Sequence, residues 1–261
     1  MGIGEEGTGM VATTAIPEST ATTLEPLLVT ARLEAGVVSV DGWLSLDGLL
    51  AASWMQRHEP DRYYNQRHSI PELLNPPLPL ARRGEGDAWY WAASLAAYDL
   101  AGEEMAHAHK RFDMEQERFL DNGKKARIET KGGPYKMARV PLRVLLPVGM
   151  ELRWFVVGDR EGVEDLVRPM VCIGKRGGMG YGTIREWRVE PWPEDWSERC
   201  DGAPTRSLPA PYGVPWGIRP PYHDIRNQIP AVLPLPGLPQ CMARMRAMQQ
   251  SREDQEVARA S

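Results

Sequence analysis

Five glycines, Gly174, Gly177, Gly178, Gly180 and Gly182, fall within nine residues, with Lys175 and Arg176 among them. Directly after them Ile184, Glu186 and Arg188 alternate with Arg185, Trp187 and Val189. A period of two is the strand period. The chain must therefore build a glycine turn that feeds a strand, which limits the folds open to it. Glycines this dense permit positive φ and a close approach of backbone to ligand. Exposed N–H groups beside two cations suit an anion, most naturally phosphate.

Two phosphate-binding loops are excluded by the strand after the glycines. A nucleotide P-loop needs Gly-x4-Gly-Lys-Ser/Thr and then a helix. Here the lysine comes early, no Ser or Thr stands in register, and a strand comes next. The dinucleotide-binding loop also opens a helix. The spacing apolar-Gly-x5-Gly-x-Gly, through Ile173, Gly174, Gly180 and Gly182, resembles the glycine-rich loop of the RAMP superfamily of CRISPR RNA-binding proteins. A tight β-bend without ligand would use the same glycines, so both alternatives stand at this point.

With 261 residues the chain can bury a sizeable core. A net charge of −4 means that any RNA contact must rest on local basic patches. Cys172, Cys200 and Cys241 are widely spaced, which argues against a zinc site or a disulfide framework and suits a reducing cytosol. No apolar run is long enough to span a membrane. No basic residue precedes Arg32 and no apolar run comes after the start, unlike a signal peptide.

Along the chain, residues 1–25 are Gly, Thr, Ala and Glu-rich and read as a disordered leader. A body over 26–190 should hold a strand at Leu27–Glu34 and a helix at Leu46–His58. That helix has Leu46, Leu49, Leu50, Ser53 and Trp54 on one face and Asp47 in its first turn. Pro71–Arg83 should be extended. Asp87–Tyr98 should be a strand that bends or one that enters a helix, with Trp89 and Trp91 on one face as core. Strands are expected at Val140–Leu146 and Glu151–Val157, and a short helix at 160–171. Twelve of the 23 prolines lie between Pro191 and Pro239. The arm over 191–239 is thus too proline-rich for regular sheet or helix, yet its aromatic side chains suit packing on its own body or on a partner. Trp216 and Tyr222 are its expected anchors. A helix or tail over 240–261 completes the chain.

The segment around 111–139 is a basic insert. Asn122-Gly123 and Gly132-Gly133 are turn signals. Around them stand Lys124, Lys125, Arg127, Lys131, Lys136 and Arg139, with Tyr135 among them. Cations with an aromatic at a flexible tip suit single-stranded RNA, and also suit a merely solvated hairpin. Of the five histidines, His68 in a polar aromatic loop is the best single candidate for acid–base chemistry. His107 and His109, taken on a helix, would not face each other. His58 suits a helix C-terminus, and His223 comes directly after Tyr222. No spacing marks a metal site.

Leu27–Leu50, Trp89–Tyr98, Gly132-Gly-Pro-Tyr-Lys136 followed by Pro141-Leu142, the glycine loop and Ile218-Arg-Pro-Pro-Tyr222 together resemble the Cas-five-type RAMP subunit of type IV CRISPR effector complexes. The resemblance implies an α+β, ferredoxin-like (RRM-like) RAMP fold with a glycine-rich loop, a thumb-like insert and a proline-rich C-terminal arm. It implies a non-catalytic, cytoplasmic subunit without cofactor or metal that holds the 5′ handle of the CRISPR RNA. Its partners would be the repeated backbone subunit and the large subunit, with target DNA met indirectly and no membrane. The RNA-contacting residues would be Gly174, Lys175, Arg176, Gly177, Gly178, Met179, Gly180, Tyr181 and Gly182 in the loop. Lys124, Lys125, Arg127, Lys131, Tyr135, Lys136 and Arg139 would join them from the insert. The alternative is a metal-independent RAMP endoribonuclease that processes CRISPR RNA, and a weaker one is a phosphate-ligand enzyme unrelated to CRISPR.

Overall fold

The computed structural model describes residues 23–64, 75–112, 115, 129–132 and 136–260. The expected leader up to residue 22, His68, Lys124, Lys125, Arg127 and Tyr135 lie outside the described residues. In chain order the elements are strands β1 (Glu25–Leu33) and β2 (Val37–Val38), and helices α1 (Leu46–His58) and α2 (Pro60–Tyr64). Next are strands β3 (Arg82–Arg83), β4 (Tyr90–Trp91), β5 (Leu100–Lys110), β6 (Ala138–Pro147) and β7 (Glu151–Gly158). Then come helix α3 (Arg160–Val167) and strands β8 (Ile184–Pro191), β9 (Arg199–Cys200) and β10 (Ala203–Pro204). Strands β11 (Leu208–Gly217) and β12 (Gln228–Val232) and helix α4 (Pro239–Ala260) end the order.

The central sheet has the order β7-β1-β8 and is antiparallel throughout. Because β1 lies in the middle, it buries side chains on both faces, and its sequence is correspondingly apolar on both. Leu27, Val29 and Ala31, with Leu152, Trp154 and Val156 of β7, form a core with Leu46 and Leu50 of α1 and Val163 and Leu166 of α3. On the opposite face Leu28 and Phe155 are covered by Trp196 and by Cys241, Met242 and Met245 of α4. Helix α3 starts where the Asp159 carboxylate accepts the Gly162 N–H at 2.9 Å, a standard N-terminal cap.

The alanine-rich stretch 92–97 forms no helix. It runs antiparallel to the outer side of β7 through bridges Ala93–Val156 and Ala97–Arg153. Its N–H groups bond successively to Phe155 O, Thr205 O, Leu44 O and Arg153 O. Small side chains let four neighbours approach so closely, and these partners replace the ladder of a helix. In β8 the simple alternation also breaks. A register shift opposite Arg32/Leu33 makes Arg185 the extra residue, so Ile184 joins Trp187 and Val189 on the core side.

A second sheet has the order β2-β6-β5. Strands β5 and β6 pair from Leu100–Pro147 to Lys110–Ala138 as a long ribbon, with the basic insert between them. The proline-rich arm is more regular than its composition implies: β11 and β12 form an antiparallel two-stranded ribbon. Both strands are edges, so Pro209, Pro215 and Pro230 need not interrupt any further pairing. The arm is fastened to the body by two buried guanidiniums. Arg206 donates to Trp91 O, to Ala93 O at 3.0 Å and to Ile218 O, and meets Asp47 at 3.5 Å. Arg219 donates to Asp87 O at 2.7 Å and Trp89 O at 2.9 Å and lies over the Trp89 ring. The Tyr222 hydroxyl donates to Asp47 at 2.6 Å. Tyr222 is thus an anchor as expected, whereas Trp216 remains 37% exposed, with its ring edge-on to Trp43. Asp47 is fully buried, not a surface charge in the first turn. Burial raises its pKa, while Arg206 and Tyr222 oppose that shift.

Candidate nucleic-acid interface

The glycine loop is built as a bend closed at its base. Cys172 and Thr183 bridge, and Ile173 N–H bonds Gly182 O at 2.9 Å. A Cβ on Gly182 would lie 1.9 Å from Ile173 O, and one on Gly174 would lie 2.7 Å from Val38 O. Both have positive φ, so these two glycines are required by the bend itself. At the tip the case differs. A Cβ on Gly178 or Gly180 would meet nothing within 4 Å. Arg176 is held left-handed at φ 67°, a conformation that costs a non-glycine residue about 1–2 kcal/mol. Lys175, Arg176, Gly178, Met179 and Gly180 are exposed. Neither Lys175 nor Arg176 has an ion pair among the described residues.

The loop is joined to the ribbon. Lys175 bridges Val38 of β2, and its N–H bonds Val38 O at 3.0 Å. The loop thereby extends the sheet of β5, β6 and β2. Tyr181 packs against an apolar cluster of Val38, Ala108, Leu142 and Val144, with Ala106 and Val140. Further out, Arg139 is exposed on β6, Lys131 and Lys136 are exposed, and Met137 N–H bonds Thr130 O at 2.8 Å.

The opposite face of the ribbon carries a pair that sequence reasoning missed. On strand β5, residues two apart share a face, so His107 and His109 stand side by side, with Arg139 directly across from His109. The Arg139 guanidinium donates to His107 Nδ1 at 3.2 Å. Arginine has no acceptor, so this contact assigns the His107 proton to Nε2. The signal was present in the alternation Met105, His107, His109 against Ala106, Ala108. Helical spacing concealed it. His58 is occupied at a helix end, with Nδ1 2.9 Å from Trp54 O and its ring stacked on Trp54.

The part of the central sheet's α4-side face that lies beyond α4 has a different electrostatic character. Arg32, Arg153 and Arg188 are matched there by Glu151 and Glu186, with Arg32–Glu151 at 3.5 Å and Arg188–Glu186 at 2.9 Å. A face that balances its own charge offers phosphate no net attraction. Among the described residues no group of three or more His, Cys, Asp or Glu could hold a metal, and no helix is long and apolar enough to cross a membrane.

No curated protein matches the chain. Among solved structures, a chain in "Cryo-EM structure of the Type III-B Cmr-beta bound to cognate target RNA" is 14% identical. The match covers 64% of this chain and 61% of that one, with a TM-score of 0.28. The chain thus spans about three fifths of that relative's length. A model of the family "CRISPR type IV associated protein Csf3" matches residues 101–234, from the first residues of β5 to just beyond β12. The ribbon, the glycine loop and nearly all of the arm fall inside that span, just over half of the 261 residues, and the chain belongs to the Csf3 family of type IV CRISPR-associated proteins.

Proposed function

We propose that this protein is a non-catalytic RNA-binding subunit of a type IV CRISPR effector assembly that grips the 5′ handle of the CRISPR RNA. The observation that carries this reading is the joint between loop and ribbon. The cations Lys175 and Arg176 and the open Gly178 and Gly180 stand at the foot of a ribbon whose far end is basic. An RNA strand crossing the loop would meet phosphate ligands first and the thumb-like insert next. A strand order of the kind a ferredoxin-like body would have supports the reading. The strand order is β8-β1-β7 with 93–97 beyond, all antiparallel, and α1 and α3 each connect strands separated by one other, as in a split βαβ unit. The repeated backbone subunit and the large subunit would be its protein partners, with target DNA reached through the assembly.

The test is the salt dependence of handle RNA binding. Lys175→Ala with Arg176→Ala should weaken binding and lower the salt slope by about 0.7 for each phosphate that loses its cation. A folded double variant with unchanged affinity and slope would leave the loop as a bend only. A second reading, metal-independent cleavage of CRISPR RNA, is favoured by the shared face of His107 and His109. Repeat RNA incubated with the protein in chelator should stay intact. A cleaved product that disappears in His107→Ala or His109→Ala would replace the binding reading with the nuclease.

A further inference from the structure

The central sheet has one open edge. Trp192 N–H bonds Pro26 O at 2.8 Å, and the register then sets Glu190 opposite Leu28 and Arg188 opposite Thr30. Hydrogen-bonding residues alternate in an antiparallel ladder, so Glu190 and Arg188 turn their main-chain groups to β1. Trp187 and Val189 turn theirs outward. No described residue pairs with β8 on that side. A groove of about 580 Å3 runs alongside between α3 and β8, with Val167, Met170, Ile184 and Trp187 as its apolar lining. Arg168 and Arg185 also line it, both exposed and without an ion pair among the described residues. Its other two arginines are occupied, Arg160 by Glu164 and Arg188 by Glu186, and with Glu190 also in the lining the groove keeps a surplus of one positive charge.

We propose that the β8 edge receives an extended acidic segment of a protein partner as an added strand. An outward-facing ladder presents N–H donors and C=O acceptors in turn, and a peptide backbone satisfies both. RNA phosphates supply acceptors alone, which leaves only 2′-hydroxyls to donate to the Trp187 and Val189 carbonyls, whereas a peptide strand offers a donor and an acceptor at every second residue. On the added strand the side chains of one face would lie over the groove, apolar ones against its lining and carboxylates against Arg168 and Arg185. The charged side chains along β8 discourage indiscriminate edge pairing, so the charge match selects the partner. This surface is separate from the glycine loop, and its test leaves the RNA reading untouched.

The probes are acetyl-Val-Thr-Glu-Thr-Val-Thr-Glu-Thr-amide, which sets valine and glutamate on one face, and the same peptide with lysine in place of glutamate, added to the full chain. The acidic peptide should slow amide hydrogen exchange at Trp187 and Val189 by about tenfold or more. Arg168→Ala with Arg185→Ala should weaken its binding about tenfold, through removal of two partly exposed ion pairs. Absence of protection at about 1 mM peptide, the boundary of weak binding, would overturn the proposal. So would equal protection by the lysine peptide, protection by oligouridine instead, or self-association that protects the same amides.

Discussion

Gly182 and Gly178 lie four residues apart and have different physical duties. Gly182→Ala would drive a Cβ into Ile173 O at 1.9 Å, with backbone on both sides and little room to yield. A loss of roughly 1–3 kcal/mol or more is expected from such strain, visible as a lower thermal midpoint. Gly178→Ala meets open space and should leave the midpoint within about 2 °C. If RNA approaches the loop tip, the same variant should still weaken handle binding. The pair separates a glycine needed by the bend from one available to a ligand. Tyr222 offers a test by pH. Burial, and next the nearby Asp47 carboxylate, hold the phenol well above its usual value of 10. The unfolded chain would ionise first, so the stability this group contributes is complete below pH 10 and is lost as pH rises toward the folded value. Denaturant midpoints measured from pH 8 to 12 should fall on the alkaline side, and less steeply in Tyr222→Phe.

At the scale of elements, the ribbon and the arm are held by opposite means. Strands β5 and β6 are tied to the loop by an apolar cluster around Leu142. Leu142→Ala should cost about 2–5 kcal/mol of local stability. Hydrogen exchange should then rise across β5, β6 and the glycine loop while β1 and β7 stay protected. The arm instead depends on Asp47, Arg206 and Tyr222. Replacing one member of a buried charged pair leaves the other uncompensated, at about 3–5 kcal/mol. Asp47→Ala should approach that loss, moderated by the carbonyls that also hold Arg206. Arg206→Met should be tolerated better in Asp47→Asn than alone, because no buried carboxylate is then stranded. Denaturation of the four proteins in a double-mutant cycle measures this.

Across the whole molecule, the arm and α4 are part of the body. Leu28 and Phe155 on the central sheet are covered by Trp196 and α4, and Asp47 in α1 is matched from residues 206 and 222. A chain ending at Pro191 would expose that apolar face and leave Asp47 buried with neither partner. It should accumulate as insoluble protein, and the soluble fraction after expression checks this. The charge distribution acts at the same scale. A net −4 chain with unpaired cations at the glycine loop, along the ribbon and beside β8 should bind RNA with steep salt dependence and have no general affinity for polyanions.

Local pattern determined β1, α1, β6, β7, α3 and the strand after the glycine loop, because each has a hydrophobic period that only one secondary structure can bury. Glycine density likewise marked the bend. Other features depended on partners distant in the chain. The Met105–His109 stretch lacks β-branched residues and becomes strand because β6 pairs with it, which turns His107 and His109 to one face. The 92–97 stretch is helix-like in composition and extended in fact, since four neighbours take its N–H groups. The sequence places Asp47 in a first helical turn, and its burial is decided by Arg206 and Tyr222, more than 150 residues away. A periodicity records which side of an element is apolar. It holds no information about which distant carbonyl, carboxylate or strand edge will meet that side, and only tertiary packing decided those meetings.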